Sequence, residues 1–453
     1  MSQANGKLKR ELGLIPATAI VVGNMIGSGI FAAPQGLAAA STPLWTMVAW
    51  AITGLGSLLI ALSFANLGTK FPETGGPVVY TRKAFGEAAA FMVSFTFWIG
   101  LWVGNAAIIV TLTRYLSELF PIFYESALAG FLAQSVMLWL FTWINIRGVK
   151  GTGKVSQYTL MIKFIALGLF VVVGLFGFNA HNLSTISQSA TDIGASGRGL
   201  ASTLPIAIGI TLWSFIGIES AAVAGGEVAD PEKNIRRSTI YGTIVTILIY
   251  MLISFVAMGA MDQETLSVQA APMATILNNI LGVNNLGGRF FALCIVLGGI
   301  GSGSGWVLAT GRTAFSMAED GYFPRSFAKV SQRTSVPVYA LVFSSALTNL
   351  MFLLSFIGLT EAFDFLIAIA SLTMMPAYIF SCFAEMKLLC HIQGRVTLRK
   401  FIVKIITPLL ASIYILYAIY AVGAEYAMYT FLLLLAGIPV YIYTKMQNNQ
   451  NRA

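Results

Sequence analysis

The 453-residue chain is 57% hydrophobic and only 10% charged, with a formal net charge of +9 and a mean hydropathy of +0.79. A soluble domain carries about 25% charged residues, so a soluble globular chain is excluded and an integral membrane protein is expected. The positive balance is not read as a nucleic-acid footprint, because its distribution along the chain fits membrane orientation, and no nucleic-acid partner is expected.

The first 13 residues, MSQANGKLKRELG, are basic and read as a cytoplasmic N-terminus. The apolar run after them contains Asn24, is too long for a signal-peptide core and lacks a small-residue cleavage site. It therefore reads as a retained first helix. A spanning helix needs about 20 mostly apolar residues. Runs of that kind fall at 14–38, 44–67, 88–117, 125–147, 156–178, 202–224, 237–260, 288–317, 337–357, 360–388, 401–421 and 426–444. Twelve long continuous runs predict an all-α polytopic bundle in the lipid bilayer and exclude a β-barrel.

With the N-terminus inside, all but four of the 27 lysines and arginines fall in inside segments, among them Lys7, Lys9, Lys150, Lys154, Arg395, Arg399, Lys400 and Arg452. The four exceptions are Arg114, Lys163, Arg198 and Arg289, while Asp192, Asp262, Glu264 and Glu361 sit outside. This positive-inside pattern places both termini in the cytoplasm.

The first segment carries GNMIGSGIF at 23–31. Glycine in a helix interior costs about 1 kcal/mol relative to alanine, so Gly23, Gly27 and Gly29 weaken the helix there. Gly23 and Gly27 also stand in GxxxG spacing, which serves close helix packing. The sixth segment carries LWSFIGIES, with Gly217 beside β-branched and polar residues. Interruptions five segments apart predict two inverted five-helix repeats, 14–178 and 202–388, followed by helices 11 and 12 over 401–444 and a C-terminal tail 445–453. An unwound midpoint offers helix N-terminal N–H groups to an anion and freed carbonyls to a cation, and a free amino acid carries both charges.

Three charged residues fall within segments. Arg114, near the outer end of the third, reads as snorkelling to the headgroups. Lys163 in the fifth and Glu219 in the sixth are functional candidates, because an ionisable group at membrane depth is expensive. Lys163 is read as a proton carrier, or else as a snorkelling or structurally paired lysine. Glu219 is read as a protonatable coupling residue or as a neutral hydrogen-bonding one. The stretches 227–237 and 312–333 are inner loops whose charges set orientation or pair as gates. The glycine run 298–305 reads as close packing of helix 8 against helix 1, not as a nucleotide loop. Cys294, Cys382 and Cys390 have no metal or redox spacing, and no metal or cofactor is expected.

The residues quoted resemble a known family. GNMIGSGIFAAP is similar to the first-helix signature of the amino acid–polyamine–organocation transporters. The resemblance extends through FPETGGPVVYTRKAFG, WVGN, LWSFIGIESA, GEVADPEKNIRRS and ATGRTAFSMAEDGYFP, nearly the whole chain. It implies a secondary active amino-acid transporter. WVGN, LWSFIGIES and Trp306 resemble bacterial arginine/agmatine-type antiporters, which implies that Asn105, Trp213, Ile216, Glu219 and Trp306 line the pocket. Phe97 and Ile108 depart from that pattern, standing where a tyrosine and a methionine are expected; Ile108 is still placed in the pocket. The opening LKRELGL and Lys163 resemble instead the L-amino-acid transporter group, so basic and neutral substrates both stay open.

On this reading the substrate carboxylate meets the N–H groups of Gly27, Ser28 and Gly29, in a stretch that begins at Asn24. The ammonium meets carbonyls around Met25, Ile26, Trp213 and Ile216. By resemblance Lys163 stands where sodium-coupled relatives bind sodium, against helices 1 and 8, which implies that it ties helix 1 carbonyls to helix 8 and that the exchanger is sodium-independent. Proton-coupled net uptake and basic amino acid or amine antiport are the alternatives. Loop 118–126 has no cysteine, so no disulfide-linked helper subunit is expected; helices 11 and 12 resemble a dimerisation surface, leaving a homodimer open. An enzyme is not expected, since HExxH, GxSxG and cysteine-cluster motifs are all missing. A channel fits twelve dissimilar segments less well than alternating access does.

Overall fold

A computed structural model describes residues 10, 12–147, 149–184, 200–282, 285–334, 336–389 and 397–450. Lys7, Lys9, Asp192, Arg198, Cys390, His391, Arg395 and Arg452 lie outside the described residues, as do the side chains of Lys150, Lys154, Arg399 and Lys400.

In chain order the helices are α1 (Leu14–Met25), α2 (Gly29–Ala40), α3 (Pro43–Lys70), α4 (Pro77–Phe85), α5 (Glu87–Leu116), α6 (Ile122–Glu125), α7 (Ala127–Arg147), α8 (Val149–Phe176) and α9 (His181–Ser184). There follow α10 (Leu200–Trp213), α11 (Ser220–Val223), α12 (Pro231–Ala260), α13 (Gln263–Ser267), α14 (Pro272–Leu281) and α15 (Leu286–Glu319). The chain ends with α16 (Val338–Met351), which a 3-10 turn at Phe352–Ile357 prolongs, then α17 (Leu359–Leu389), α18 (Leu398–Val422) and α19 (Ala424–Gln450). Among the described residues the one strand-type pairing is an isolated bridge between Leu12 and Val228.

Eleven of the expected spans are long and apolar enough to cross a membrane. The twelfth, 202–224, is not one of them, because the helix stops at Trp213 and only Ser220–Val223 resumes it. The first span reaches its length only as α1 and α2 taken together. Two elements were not expected: α4, which follows Gly76 at positive φ, and the α13–α14 hairpin. Both are too short to register as spans.

Helix α5 runs through the centre and its apolar window is wholly buried. It packs on α17 and on α15, and α15 packs in turn on α8. Helix α1 lies against α12, whereas α10 lies against α3; α7 lies against α15, whereas α16 lies against α5. Segment 3 thus meets segment 10 as segment 8 meets segment 5, and the other two pairs repeat the five-segment offset. At the periphery α19 exposes Phe431, Leu432 and Leu435, an apolar surface of the kind that suits lipid contact.

The glycines of α15 do not pack against α1 as expected. A methyl group on Gly298 would collide with the Lys163 stem, on Gly299 with Leu112, and on Gly303 with Phe141. These glycines seat α8, α5 and α7 against α15, because the Lys163 side chain occupies the space on the α1 side.

Candidate functional site

Helix α1 ends in a tight turn. Ile26 has φ −73° and ψ 68°, the inverse γ conformation, and the Gly27 N–H donates to the Met25 carbonyl at 2.7 Å. Ser28 then starts α2. The opening N–H groups of a helix have no intrahelical partner, and among the described residues no protein group accepts from the N–H of Ser28 or Gly29. The two glycines in GxxxG spacing serve different ends. Gly23 packs, its added Cβ falling 3.2 Å from Leu160, whereas Gly27 meets only its own turn.

The sixth segment breaks over Ser214–Glu219. Ser214, Phe215 and Ile216 donate their N–H groups three residues back, to Thr211, Leu212 and Trp213, tightening the helix before Gly217 reverses it at φ +114°. The two breaks touch. A Cβ on Gly29 would lie 2.8 Å from the Ser214 Cα, and one on Gly217 would lie 3.1 Å from the Asn24 carbonyl carbon. Three side chains knit them together. The Tyr250 hydroxyl on α12 sits 2.5 Å from the Met25 carbonyl oxygen and 2.8 Å from that of Ser214. Asn24 Nδ2 donates to Ser220 Oγ at 2.8 Å, and Trp213 Nε1 donates to Ser28 Oγ at 3.0 Å.

Lys163 is buried, and its ammonium donates to the Ile26 carbonyl at 2.6 Å, to Ser302 Oγ at 2.9 Å and weakly to the Gly23 carbonyl at 3.4 Å. One cation thus joins the carbonyls freed by the first break to α15. A cavity beside it is lined by Gly27, Ser28, Phe31, Ile108, Thr111, Leu112, Lys163, Ile295, Gly299 and Ser302. Its described walls carry no carboxylate.

Of the other expected site residues, Trp213 and Trp306 meet at 5.7 Å between ring centroids. Gly104 makes room for both, since its Cβ would fall 2.7 Å from one indole and 2.8 Å from the other. Asn105 does not reach the cavity. It donates to Thr310 Oγ1 at 3.0 Å and leaves its own Oδ1 without a partner. Ile216 is buried in the second break. Glu219 is bound on the far side of that break, where its Oε2 accepts from the Tyr378 hydroxyl at 2.7 Å and from the Gly217 N–H at 3.2 Å.

Arg114 does not snorkel. It is 1% exposed. Its Nε donates to the Ala270 carbonyl at 2.8 Å and its Nη2 to Gln35 Oε1 at 3.0 Å, while the guanidinium lies 5.6 Å from the Phe363 ring centroid. The α13–α14 hairpin supplies carbonyls at a depth where Arg114 can stay covered. Sequence reasoning also missed Tyr250, Tyr378 and Ser302. Tyr250 stands in ILIYMLISF, and a phenol in so apolar a run was the signal available.

The first broken span is tied down at both of its ends. At one, the Leu12 N–H donates to the Glu227 carbonyl at 3.0 Å, the Ala229 N–H to the Leu12 carbonyl at 2.9 Å, and the Gly75 N–H to the Val223 carbonyl at 3.1 Å. At the other, Gln35 Nε2 donates to the Ser267 carbonyl at 2.9 Å, and Gln263 Nε2 donates to the carbonyls of Ala38 and Ser41 at 3.0 and 2.9 Å.

A sequence profile described as amino acid permease matches residues 12–443. Among curated proteins, a Bacillus subtilis (strain 168) relative is 32% identical over 82% of each chain and carries an assigned, not demonstrated, arginine/ornithine antiporter name. The chain is similar at 27% identity, over 98% of its own length and 92% of the relative's, to the arginine/ornithine antiporter of Latilactobacillus sakei. It is similar at 29% identity, over 97% and 91%, to the arginine/agmatine antiporter of Chlamydia trachomatis serovar L2.

Proposed function

The chain belongs to the amino acid permease family, and from that premise we propose that it exchanges amino acids across the cytoplasmic membrane by alternating access, without sodium. The antiporter names of its relatives support exchange. The observation that carries the reading is the meeting of the two breaks, where no described protein group accepts from the N–H of Ser28 or Gly29 and the Ile26 carbonyl is bound by a side chain instead of a helix N–H.

The carboxylate of a zwitterion is received at the start of α2, where N–H groups and the helix dipole favour an anion. Ser28 assists, since its hydroxyl accepts from Trp213 and keeps its own proton to donate. Gly27 is not a donor in this arrangement, because its N–H is taken by Met25. The ammonium is received by the second lone pair of the Ile26 carbonyl, beside Lys163, and by the Ile216 carbonyl; Met25 is not an acceptor in this arrangement, because its carbonyl already takes the Gly27 N–H and the Tyr250 hydroxyl. Each charge-assisted bond contributes about 1.5–3 kcal/mol. The Trp213–Trp306 pair closes over the substrate.

The Lys163 ammonium supports sodium independence, because it fills the position among the helix 1 carbonyls with a fixed charge. The partner exchange at a five-segment offset supports two inverted repeats. The distribution of lysine and arginine supports cytoplasmic termini. Three ion pairs, Arg82–Asp320, Lys83–Glu73 and Lys445–Glu87, fall among the segments read as inner.

Counterflow into proteoliposomes tests the proposal. Vesicles loaded with unlabelled amino acid are expected to take up the labelled one saturably, at the same rate in sodium and in potassium buffer. Arginine exchange would place the chain with its named relatives; alanine or serine exchange would place it with the neutral transporters. No exchange of any of these, or flux that does not saturate, contradicts the reading.

A further inference from the structure

Arg114 stands one helical turn beyond the cavity wall residue Thr111 on α5. It is buried, yet no carboxylate pairs with it directly among the described residues; Asp364 and Glu361 act on it only at a distance. One of its guanidinium nitrogens, Nη1, has no partner among the described residues. The contacts it does make join parts that alternating access must separate. Nη2 holds Gln35 of α2, the outer half of the first broken span. Nε holds Ala270 in the α13–α14 hairpin, and the guanidinium, carried on α5, lies over the Phe363 ring of α17. Gln35 passes the link on to the hairpin at Ser267.

We propose that Arg114 is a positioning residue that latches the outer mouth, holding α2 and the hairpin against α5 and α17 until outward opening exchanges its two bonds for water. The geometry points to this because its two bonds run to two separate elements, the hairpin and α2, from a third, α5. A guanidinium whose Nη1 bonds to nothing among the described residues can also leave its bonds at less cost than a fully satisfied ion pair. The proposal rests on the exchange reading and on its orientation.

A bond to a charged group is of the size that shifts a two-state equilibrium about tenfold. Apparent affinity on one side rises with the fraction of molecules open to that side. For Arg114→Gln and, independently, Gln35→Ala, the external half-saturation for counterflow is expected to fall about tenfold, with the internal value unchanged or raised. A membrane-impermeant maleimide applied from outside should label Thr111→Cys faster in either background, with Cys294, Cys382 and Cys390 replaced by serine. Arg114→Lys, which keeps the charge but not the two-pronged geometry, should behave like Arg114→Gln. The latch is overturned if either folded variant exchanges with wild-type half-saturation on both faces and an unchanged labelling rate, or if both sides weaken equally, as a merely structural loss would produce. Absence of counterflow in the wild-type protein would instead remove the reading on which the latch rests.

Discussion

At the scale of single residues, the sequence exposes charge well and neutral polarity poorly. Lys163 stands out in YTLMIKFIALGLF, and the structure gives it three acceptors, on Ile26, Gly23 and Ser302. Tyr250 and Tyr378 do comparable bonding work, but a tyrosine in an apolar helix is unremarkable by composition. Arg114 was visible as a charge, but its burial was not, because the hairpin that covers it lies 156 positions away in the chain. On the proposed reading Lys163 holds the first break to α15. Lys163→Met keeps the stem that fills the Gly298 hollow and removes three donated bonds. The loss of a charged bond worth about 1.5–3 kcal/mol predicts a fall in exchange of about 10–100-fold, with folded yield largely retained. Wild-type rates in Lys163→Met proteoliposomes would remove the role.

At the scale of elements, the positions of the two breaks were legible because glycine beside polar residues recurs five segments apart, but their shape was not. GNMIGSGIF does not say that Gly23 packs on Leu160 while Gly27 turns, or that Gly29 is small because Ser214 lies against it. The glycine run 298–305 shows the same limit, since the count of glycines marks close approach without naming the neighbour. Substitution separates the roles. Gly217→Ala forces a side chain onto φ +114°, at a cost of the order of 1–3 kcal/mol, and pushes Cβ toward Asn24. Gly29→Ala drives into Ser214. Both are predicted to cut exchange at least about tenfold and to lower the unfolding midpoint. Gly305→Ala, whose Cβ meets nothing within 4 Å, is predicted to be silent by both measures. Equal effects at all three positions would mean that the glycines act only by loosening their helices.

At the scale of the molecule, membrane class and the all-helical run of spans were legible because hydropathy is summed over long windows. The packing partners were not legible, because which helix faces which depends on contacts far apart in the chain. The observed partnerships repeat at a five-segment offset, and named bonds close the first broken span onto its neighbours at both ends, Leu12–Glu227 at one and Gln35–Ser267 at the other. Alternating access requires these closures to open in turn around one fixed site. The most direct measurement is a density map of the protein in lipid with its exchanged amino acid bound. The account predicts ligand density between the two breaks, its carboxylate within hydrogen-bond reach of the Ser28 and Gly29 N–H groups and its ammonium toward the carbonyls of the first and sixth spans. Unbroken helices through these segments, or ligand density bound elsewhere, would contradict it.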